Sequence, residues 1–418
     1  MSEPVTPFVR RVKLYNYKSI RRCDVTLGPL TLLVGPNGSG KSNFWDALWF
    51  VAEALRTPIA EVFEKRGGPM HVFSRFGADP ARLEIELQLE LPGSKTASFK
   101  LVVRPDPPYD FVVEEEDCAI HSEGGVTTTY TVREGKMVSG SLDVHPPASS
   151  DRLYLTVASG FPEFRELYEH LVGMLFYRID PEAMRKHPFV GGTLLNTNGA
   201  GPGSVLQRIS EGCPELEERI GEYARAILPA LDRISVVSLA ELAVNGGAPS
   251  ASVARRRRQM KELVLRFAVH VGDESVHFSA QNMSDGTLHA LGVLLALFQC
   301  ANRPPSRTIS LVGIEEPEAT LHPAAAGVLF DALSEASHFV QVVATTHSAE
   351  LLDIKDVDPE SLLIVDMVNG ETTIGPADEV TKSIMRDRLA TAGELLRDRQ
   401  LRSETQTSGP VGVETDDG

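Results

Sequence analysis

Residues 35–42 read Gly-Pro-Asn-Gly-Ser-Gly-Lys-Ser, and no other stretch limits the chain's fold so severely. The apolar run Leu30–Val34 precedes it and a helical run, Lys41–Leu55, follows. Strand, glycine-rich turn and helix in that order mark a nucleotide-binding α/β unit. Glycines let backbone N–H groups turn inward and cradle phosphate oxygens, which a Cβ would obstruct. In this pattern Lys41 reaches the β- and γ-phosphates and the Ser42 hydroxyl takes Mg²⁺. The helix that starts there aims its positive end at the anion. Gly35, Pro36, Asn37, Gly38, Ser39, Gly40, Lys41, Ser42 and the adjoining Asn43 are therefore the expected ATP-binding residues, with Mg²⁺ as cofactor.

Three further segments bear on the same chemistry. TISLVGIEEPE (Thr308–Glu318) is an apolar strand ending in two acids. Such a strand delivers carboxylates to the rim of a sheet, with Glu315 on the Mg²⁺ side and Glu316 placed to activate the attacking water. Adjacent carboxylates repel, so this pair calls for a cation nearby. Ser284-Asp285-Gly286-Thr287 opens the apolar run LHALGVLLALF, and a small polar turn there makes an anion-binding helix N-terminus or a simple N-cap. Thr345-Thr346-His347-Ser348 follows the strand Phe339–Ala344. A lone histidine after a strand is usually structural, but in this position His347 can reach a γ-phosphate.

Periodicity organises the rest. LEIELQLEL (Leu83–Leu91) alternates strictly, as a half-solvated antiparallel strand does, and residues 98–145 continue in that style. Phe164–Phe176 and Val205–Leu231 carry helical spacing, which predicts a helical lid inserted into the nucleotide fold. A polar linker, 242–258, ends in Arg255–Arg258, a solvated loop or a phosphate- or partner-docking patch. The core resumes with a strand over 262–271, a helix over Thr287–Ala301, the acid-tipped strand, a helix over Ala324–Ser337 and the strand Phe339–Ala344. From Ser403 onward the chain is small and polar and is expected to be disordered. The implied divisions are 1–160, 161–258, 259–402 and 403–418.

Composition narrows the classes, and its acidity weakens a nucleic-acid reading without excluding it, since local patches can bind phosphate against the overall sign. A net charge of −16 leaves no global footprint for nucleic acid. Four dispersed cysteines (Cys23, Cys118, Cys213 and Cys300) form neither a zinc pattern nor a disulfide framework. No apolar stretch suffices to span a bilayer, and the N-terminus has no apolar signal core, so a cytoplasmic protein away from membranes is expected.

Taken together, these segments resemble the ABC-type ATPases, and within them the SMC-like, RecF-like branch. NYKSI (Asn16–Ile20) and TLLVGPNGSGKSNFWDAL resemble the opening of that branch, MSDGTLHAL its signature motif, IEEPEATLHP (Ile314–Pro323) its Walker B and D-loop, and ATTHSAELLD (Ala344–Asp353) its switch-histidine segment. FYRIDPEAMRKHP and the helical lid resemble stand-alone bacterial AAA family ATPases related to the overcoming-lysogenization-defect (OLD) proteins. The resemblance implies an α/β, ABC/SMC-head-like P-loop ATPase with a mixed sheet core, an antiparallel β subdomain and the inserted lid. It also implies a head-to-head homodimer, each ATP on one protomer's P-loop and capped by the other's Ser284, Asp285 and Gly286. On this basis Glu316 is the catalytic base, Lys41 and His347 assist, Ser42 and Glu315 hold the metal, and a D-loop near Ala319–His322 bridges the dimer. Two departures stand out: Glu315 replaces the more usual Asp, and Phe73–Asp79 offers no Q-loop glutamine, with Gln88 inside a strand. The implied role is an ATP-gated switch in DNA maintenance, DNA repair or anti-phage defence, with DNA contact left open. After His347 the chain is too short for the Toprim domain of OLD nucleases, so any nuclease or toxin effector is expected to be a separate polypeptide. The alternative is the ATPase subunit of a membrane transporter, against which the SDGT turn and the lid argue.

Overall fold

The computed structural model describes residues 7–74, 82–106, 110–122, 124–142, 146–147, 149, 151–186, 193–238, 263–272, 274–301, 308–354 and 357–407. Arg255–Arg258, with the linker that carries them, lie outside the described residues. The chain forms two compact units, one of Gly173–Thr346 and one of Thr6–Val172 with His347–Gly418.

The unit holding the P-loop is built on an antiparallel sheet in the order β2 (Ile20–Thr26), β1 (Val9–Tyr17), β4 (Leu83–Leu91), β5 (Lys95–Asp106), β6 (Asp110–His121), β7 (Thr127–Arg133), β8 (Lys136–Gly140). The alternation of β4 sets its register. Leu83, Ile85, Leu87 and Leu89 are buried and face Val103, Leu101, Phe99 and Ala97 of β5. A slip of one residue would turn the glutamates of β4 to the buried side, so this register is strongly specified. Separately, β3 (Leu30–Val34) runs parallel to β15 (Leu362–Val368), which pairs antiparallel with β16 (Glu371–Pro376).

Helix α1 (Lys41–Ala54) follows β3 and buries Phe44, Trp45, Leu48, Phe50 and Val51. It also buries two acids. Asp46 accepts from the Tyr17 hydroxyl at 2.6 Å and pairs with Lys18 at 2.6 Å and Arg66 at 2.8 Å. Arg66, just beyond α2 (Ile59–Lys65), also bonds Glu53 at 2.8 Å. Burial alone would raise the Asp46 carboxyl, but the charges of Arg66 and Lys18 outweigh it and hold the group below its ordinary value. Helix α1 is thus pinned by buried, charge-assisted bonds. This unit also holds α3 (Tyr154–Ala158) and α4 (Pro162–Val172).

In the second unit β9 (Met174–Tyr177), β13 (Leu311–Glu315) and β14 (Gln341–Thr346) are parallel, with β13 between the other two. A three-stranded antiparallel sheet, β10 (Leu231–Ser238), β11 (Leu263–Val271) and β12 (Glu274–Ser279), lies in the same unit. Its helices are α5 (Pro181–Arg185), α6 (Pro202–Gly212), α7 (Pro214–Ile227), α8 (Asp285–Phe298) and α9 (Ala326–Ala336). Every residue of α8 from Leu288 to Phe298 is buried, as a helix apolar all round requires. No helix among the described residues is long and apolar enough to cross a membrane.

Three expectations are corrected. The helix expected over Phe164–Phe176 stops at Val172, and Met174–Tyr177 is a fully buried strand paired with β13. A short apolar run fits either state, and the sheet supplies the partner that decides. The helix expected over Val205–Leu231 is two helices, because Pro214 lacks an N–H and starts a new helix as its first residue. The tail carries structure at its start: Ser403 is buried and pairs with Ala377, and a short helix, Glu404–Thr407, follows. Residues 408–418 of that tail lie outside the described residues.

One buried acid gives the fold a pH dependence. The Glu116 carboxylate, 2% exposed, accepts from the Tyr130 hydroxyl at 2.7 Å, Tyr154 N at 2.5 Å and Leu155 N at 2.8 Å. Burial pushes its pKa up from 4.5 to about 7, although those three bonds oppose the rise. The folded state therefore favours the protonated acid. That contribution is complete below the unfolded value and is lost as pH rises through the folded one. Unfolding free energy should fall by roughly 3 kcal/mol between about pH 4.5 and about pH 7 from this group. Urea unfolding of wild type and Glu116→Gln near both ends of that window tests it, and the variant should show a smaller fall.

Candidate functional site

The P-loop is shaped by two close approaches. A Cβ on Gly35 would lie 1.9 Å from the Val365 carbonyl oxygen on β15, so only glycine fits there. Gly40 sits at φ 101°, and a Cβ would meet the Thr372 hydroxyl of β16 at 2.0 Å. Side chains complete the support. Asn43 Nδ2 donates to Ser19 Oγ at 2.6 Å, Ser19 Oγ lies 2.6 Å from Thr372 Oγ1, and Thr372 Oγ1 donates to the Ser39 carbonyl at 2.9 Å. With both ends of this chain fixed, the middle proton belongs to Ser19 and runs toward Thr372.

Pro36, Asn37 and Gly38 form the exposed tip of the loop, and Ser42 is exposed, whereas Ser39 and Lys41 are buried. Lys41 Nζ bonds the carbonyls of Gly35 at 2.7 Å and Pro36 at 2.9 Å. Helix α1 begins at Gly40 with no side-chain cap and no acid in its first turn, leaving its positive end uncompensated by side chains. Ser39 Oγ, in a residue 1% exposed, has no hydrogen-bond partner among the described residues. A buried hydroxyl without a partner beside an uncapped helix start suits a phosphate oxygen. The hard oxygen donors expected for the metal, a hydroxyl at Ser42 and a carboxylate at Glu315, are of the kind Mg²⁺ prefers.

The other unit carries the acid pair and the signature turn. Glu315 ends β13, and its side chain, 12% exposed, pairs with the guanidinium of Arg178. Glu316 turns away from the strand at φ 45°, left-handed for a non-glycine residue. Its N–H bonds Thr345 O and Thr345 Oγ1, both at 3.1 Å. Two residues on, Glu318 accepts from the Thr346 hydroxyl at 2.5 Å. Ser284 caps α8, accepting from Thr287 N at 3.2 Å, and Ser284 and Asp285 are exposed. A Cβ on Gly286 would lie 2.6 Å from the Thr320 carbonyl, so the turn at Ser284–Thr287 rests on the Thr320 backbone of its own chain. Arg185 holds that turn through Met283 O at 2.9 Å and Asp285 Oδ1 at 2.5 Å.

His347 is exposed immediately after β14, and Ser348 caps the short helix α10 (Ala349–Leu352) that follows. Of the segment Phe73–Asp79, residues 75–79 lie outside the described residues, and Gln88 lies within β4 as expected. Asp353 in the C-terminal region bonds Thr391 Oγ1 at 2.7 Å and pairs with Arg397. Sequence reasoning gave no role to Arg178, Arg185, Thr372 or His289. For the two arginines there was a signal, since they are the cations of the FYRIDPEAMR segment. His289 was visible as a lone polar residue in an apolar helix. Thr372, about 330 residues from the P-loop, left none.

A family model described as "AAA domain, putative AbiEii toxin, Type IV TA system" matches residues 135–353, more than half of the chain. A second, described as "AAA ATPase domain", matches residues 8–104. Among curated proteins the chain is 24% identical to an OLD nuclease of Thermus scotoductus over 364 residues, covering 83% of this chain and 60% of that protein. It is 27% identical to structural maintenance of chromosomes protein 5 of Schizosaccharomyces pombe over 124 residues, 29% of this chain and 11% of that one. The chain thus spans at most three-fifths of these relatives' length. Among solved structures, an SMC head bound to the C-winged helix domain of ScpA superposes with a TM-score of 0.51 at 13% identity, covering 88% of this chain and 97% of that one. This likeness fixes the fold as that of an SMC head. The chain belongs to the family of AAA domains described as "putative AbiEii toxin, Type IV TA system" and is a P-loop ATPase of the SMC-like branch.

Proposed function

We propose that the chain binds ATP with Mg²⁺, hydrolyses it, and uses the cycle to close and open a dimer of itself. In this reading it is a switch in DNA maintenance or anti-phage defence, acting through an effector such as a nuclease or toxin. The observation that carries the proposal is the P-loop. Two glycines without room for a Cβ, an uncapped helix start and the Ser39 hydroxyl, without a partner among the described residues, together suit a phosphate. The family's toxin–antitoxin description and the OLD relative support the biological half.

The roles follow residue by residue. Backbone amides of Gly35–Asn43 bind phosphate oxygens, and Lys41 supplies the positive charge. Ser42 and Glu315 are the residues that would hold Mg²⁺, which would supply positive charge against the developing phosphate charge. Glu316 accepts a proton from water as that water attacks the γ-phosphorus. The bond from the γ-phosphorus to the bridging oxygen breaks, leaving ADP and phosphate. His347 hydrogen-bonds the γ-phosphate. Ser284, Gly286 and the start of α8 in one protomer cap the nucleotide held by its partner. Asp285 would repel that phosphate, and the ion pair with Arg185 offsets its charge. Because ATP bridges two surfaces only in the closed state, it favours closure, and its loss favours opening.

Two measurements test this. Glu316→Gln should bind ATP without activating water, so light scattering with ATP and Mg²⁺ should show a stable dimer. A further mass increase with linear duplex DNA would place DNA among the partners, and an unchanged mass with nucleotide bound would refute the head-to-head dimer. Gly35→Ala should weaken binding of a fluorescent ATP analogue by at least about tenfold, an affinity loss of roughly 1.4 kcal/mol. Gly38→Ala should cost far less. A Cβ there meets nothing within 4 Å, and only its φ of 80° resists the substitution.

A further inference from the structure

We propose that His289 is a positioning residue for Glu316, holding the catalytic turn from the second turn of the signature helix. The proposal rests on the reading of Glu316 as the base. His289 is 4% exposed on α8, and its Nε2 lies 3.2 Å from the Glu316 carbonyl oxygen. A carbonyl only accepts, so Nε2 carries the proton and donates. Burial lowers the pKa of the imidazole although neighbouring backbone carbonyls oppose this, so the ring is neutral near pH 7.

What the bond holds is a backbone that resists its own conformation. Glu316 lies at φ 45° and Thr320, four residues on, at φ 63°, both non-glycine residues in the left-handed region. Such geometry persists where the surroundings over-determine it. Thr345 fixes the N–H of Glu316 from one side, with two acceptors at 3.1 Å. His289 fixes the carbonyl of the same residue from the other. Gly286, three residues before His289 and so on the same face of α8, rests against the Thr320 carbonyl. The face bearing Gly286 and His289 is thereby seated on both ends of the 316–320 turn. A shift of α8 when its exposed start engages nucleotide is carried to the carboxylate of Glu316 in the same chain.

The test contrasts His289→Gln, whose amide N–H reaches the position of Nε2, with His289→Asn, which is polar but too short. The first readout needs no nucleotide: hydrogen–deuterium exchange of a peptide covering residues 314–321. Exchange should rise in the Asn variant and return toward wild type in the Gln variant. The second is steady-state hydrolysis, with kcat for Asn falling about tenfold to a hundredfold, KM staying within about twofold and Gln recovering most of kcat. Unchanged exchange and kcat in the Asn variant would overturn the proposal. So would equal damage in both variants, or a loss confined to KM. Glu316→Gln is run alongside. If it hydrolyses ATP at the wild-type rate, the assignment of Glu316 as base falls, and exchange alone then decides whether His289 holds the turn.

Discussion

The P-loop is held by contact between segments far apart in the chain. Gly35 presses on the Val365 carbonyl and Gly40 on the Thr372 side chain, so the phosphate loop takes its shape from the β15–β16 hairpin. A loop of eight residues could not hold its amides inward unaided, since fixing each backbone costs roughly 1–2 kcal/mol of conformational entropy. Packing against the β15–β16 hairpin offsets that cost. The chain of bonds from Asn43 through Ser19 and Thr372 to Ser39 ties the turn between β1 and β2 to the same loop.

Behind the loop, α1 is anchored by charge as well as by apolar packing. Removing Arg66 would leave Glu53 without its 7%-exposed partner and deprive Asp46 of one of two cations. Breaking buried pairs in that way typically costs about 3–5 kcal/mol, more than the net worth of the intact pair. The network is better understood as fixing where α1 lies than as a source of stability. The position of Ser42, on the first turn of α1, depends on it.

Much of this was legible in the sequence because the pattern and the physics coincide. The alternation of LEIELQLEL became β4 residue for residue, and the run Lys41–Leu55 became α1 to within one residue. The acid-tipped strand and the capped turn at Ser284 were legible because each is a local event. Met174–Tyr177 was not, because four apolar residues take their state from β13, which follows more than 130 residues later. The supporting residues were hidden for the same reason. Thr372 and Arg66 look like ordinary surface residues until the fold brings them to the loop and the helix. Lone polar residues such as His289 did carry a local signal, but its meaning depended on what lay opposite.

The acid pair shows how a local expectation can be right in its logic and incomplete in its conclusion. Two adjacent carboxylates at a strand end were expected to need a cation. The fold supplies one from its own chain, since Arg178, just after β9, pairs with Glu315. It also separates the acids by conformation: Glu316 leaves the strand at φ 45° rather than continuing its alternation. The guanidinium is 68% exposed, so water screens the pair and its contribution to stability is small. A weak pair suits this position. It lowers the repulsion between Glu315 and the adjoining Glu316 and, under the proposed function, leaves Glu315 able to exchange its partner for a metal ion. A buried arginine would have bound the carboxylate too firmly for that exchange.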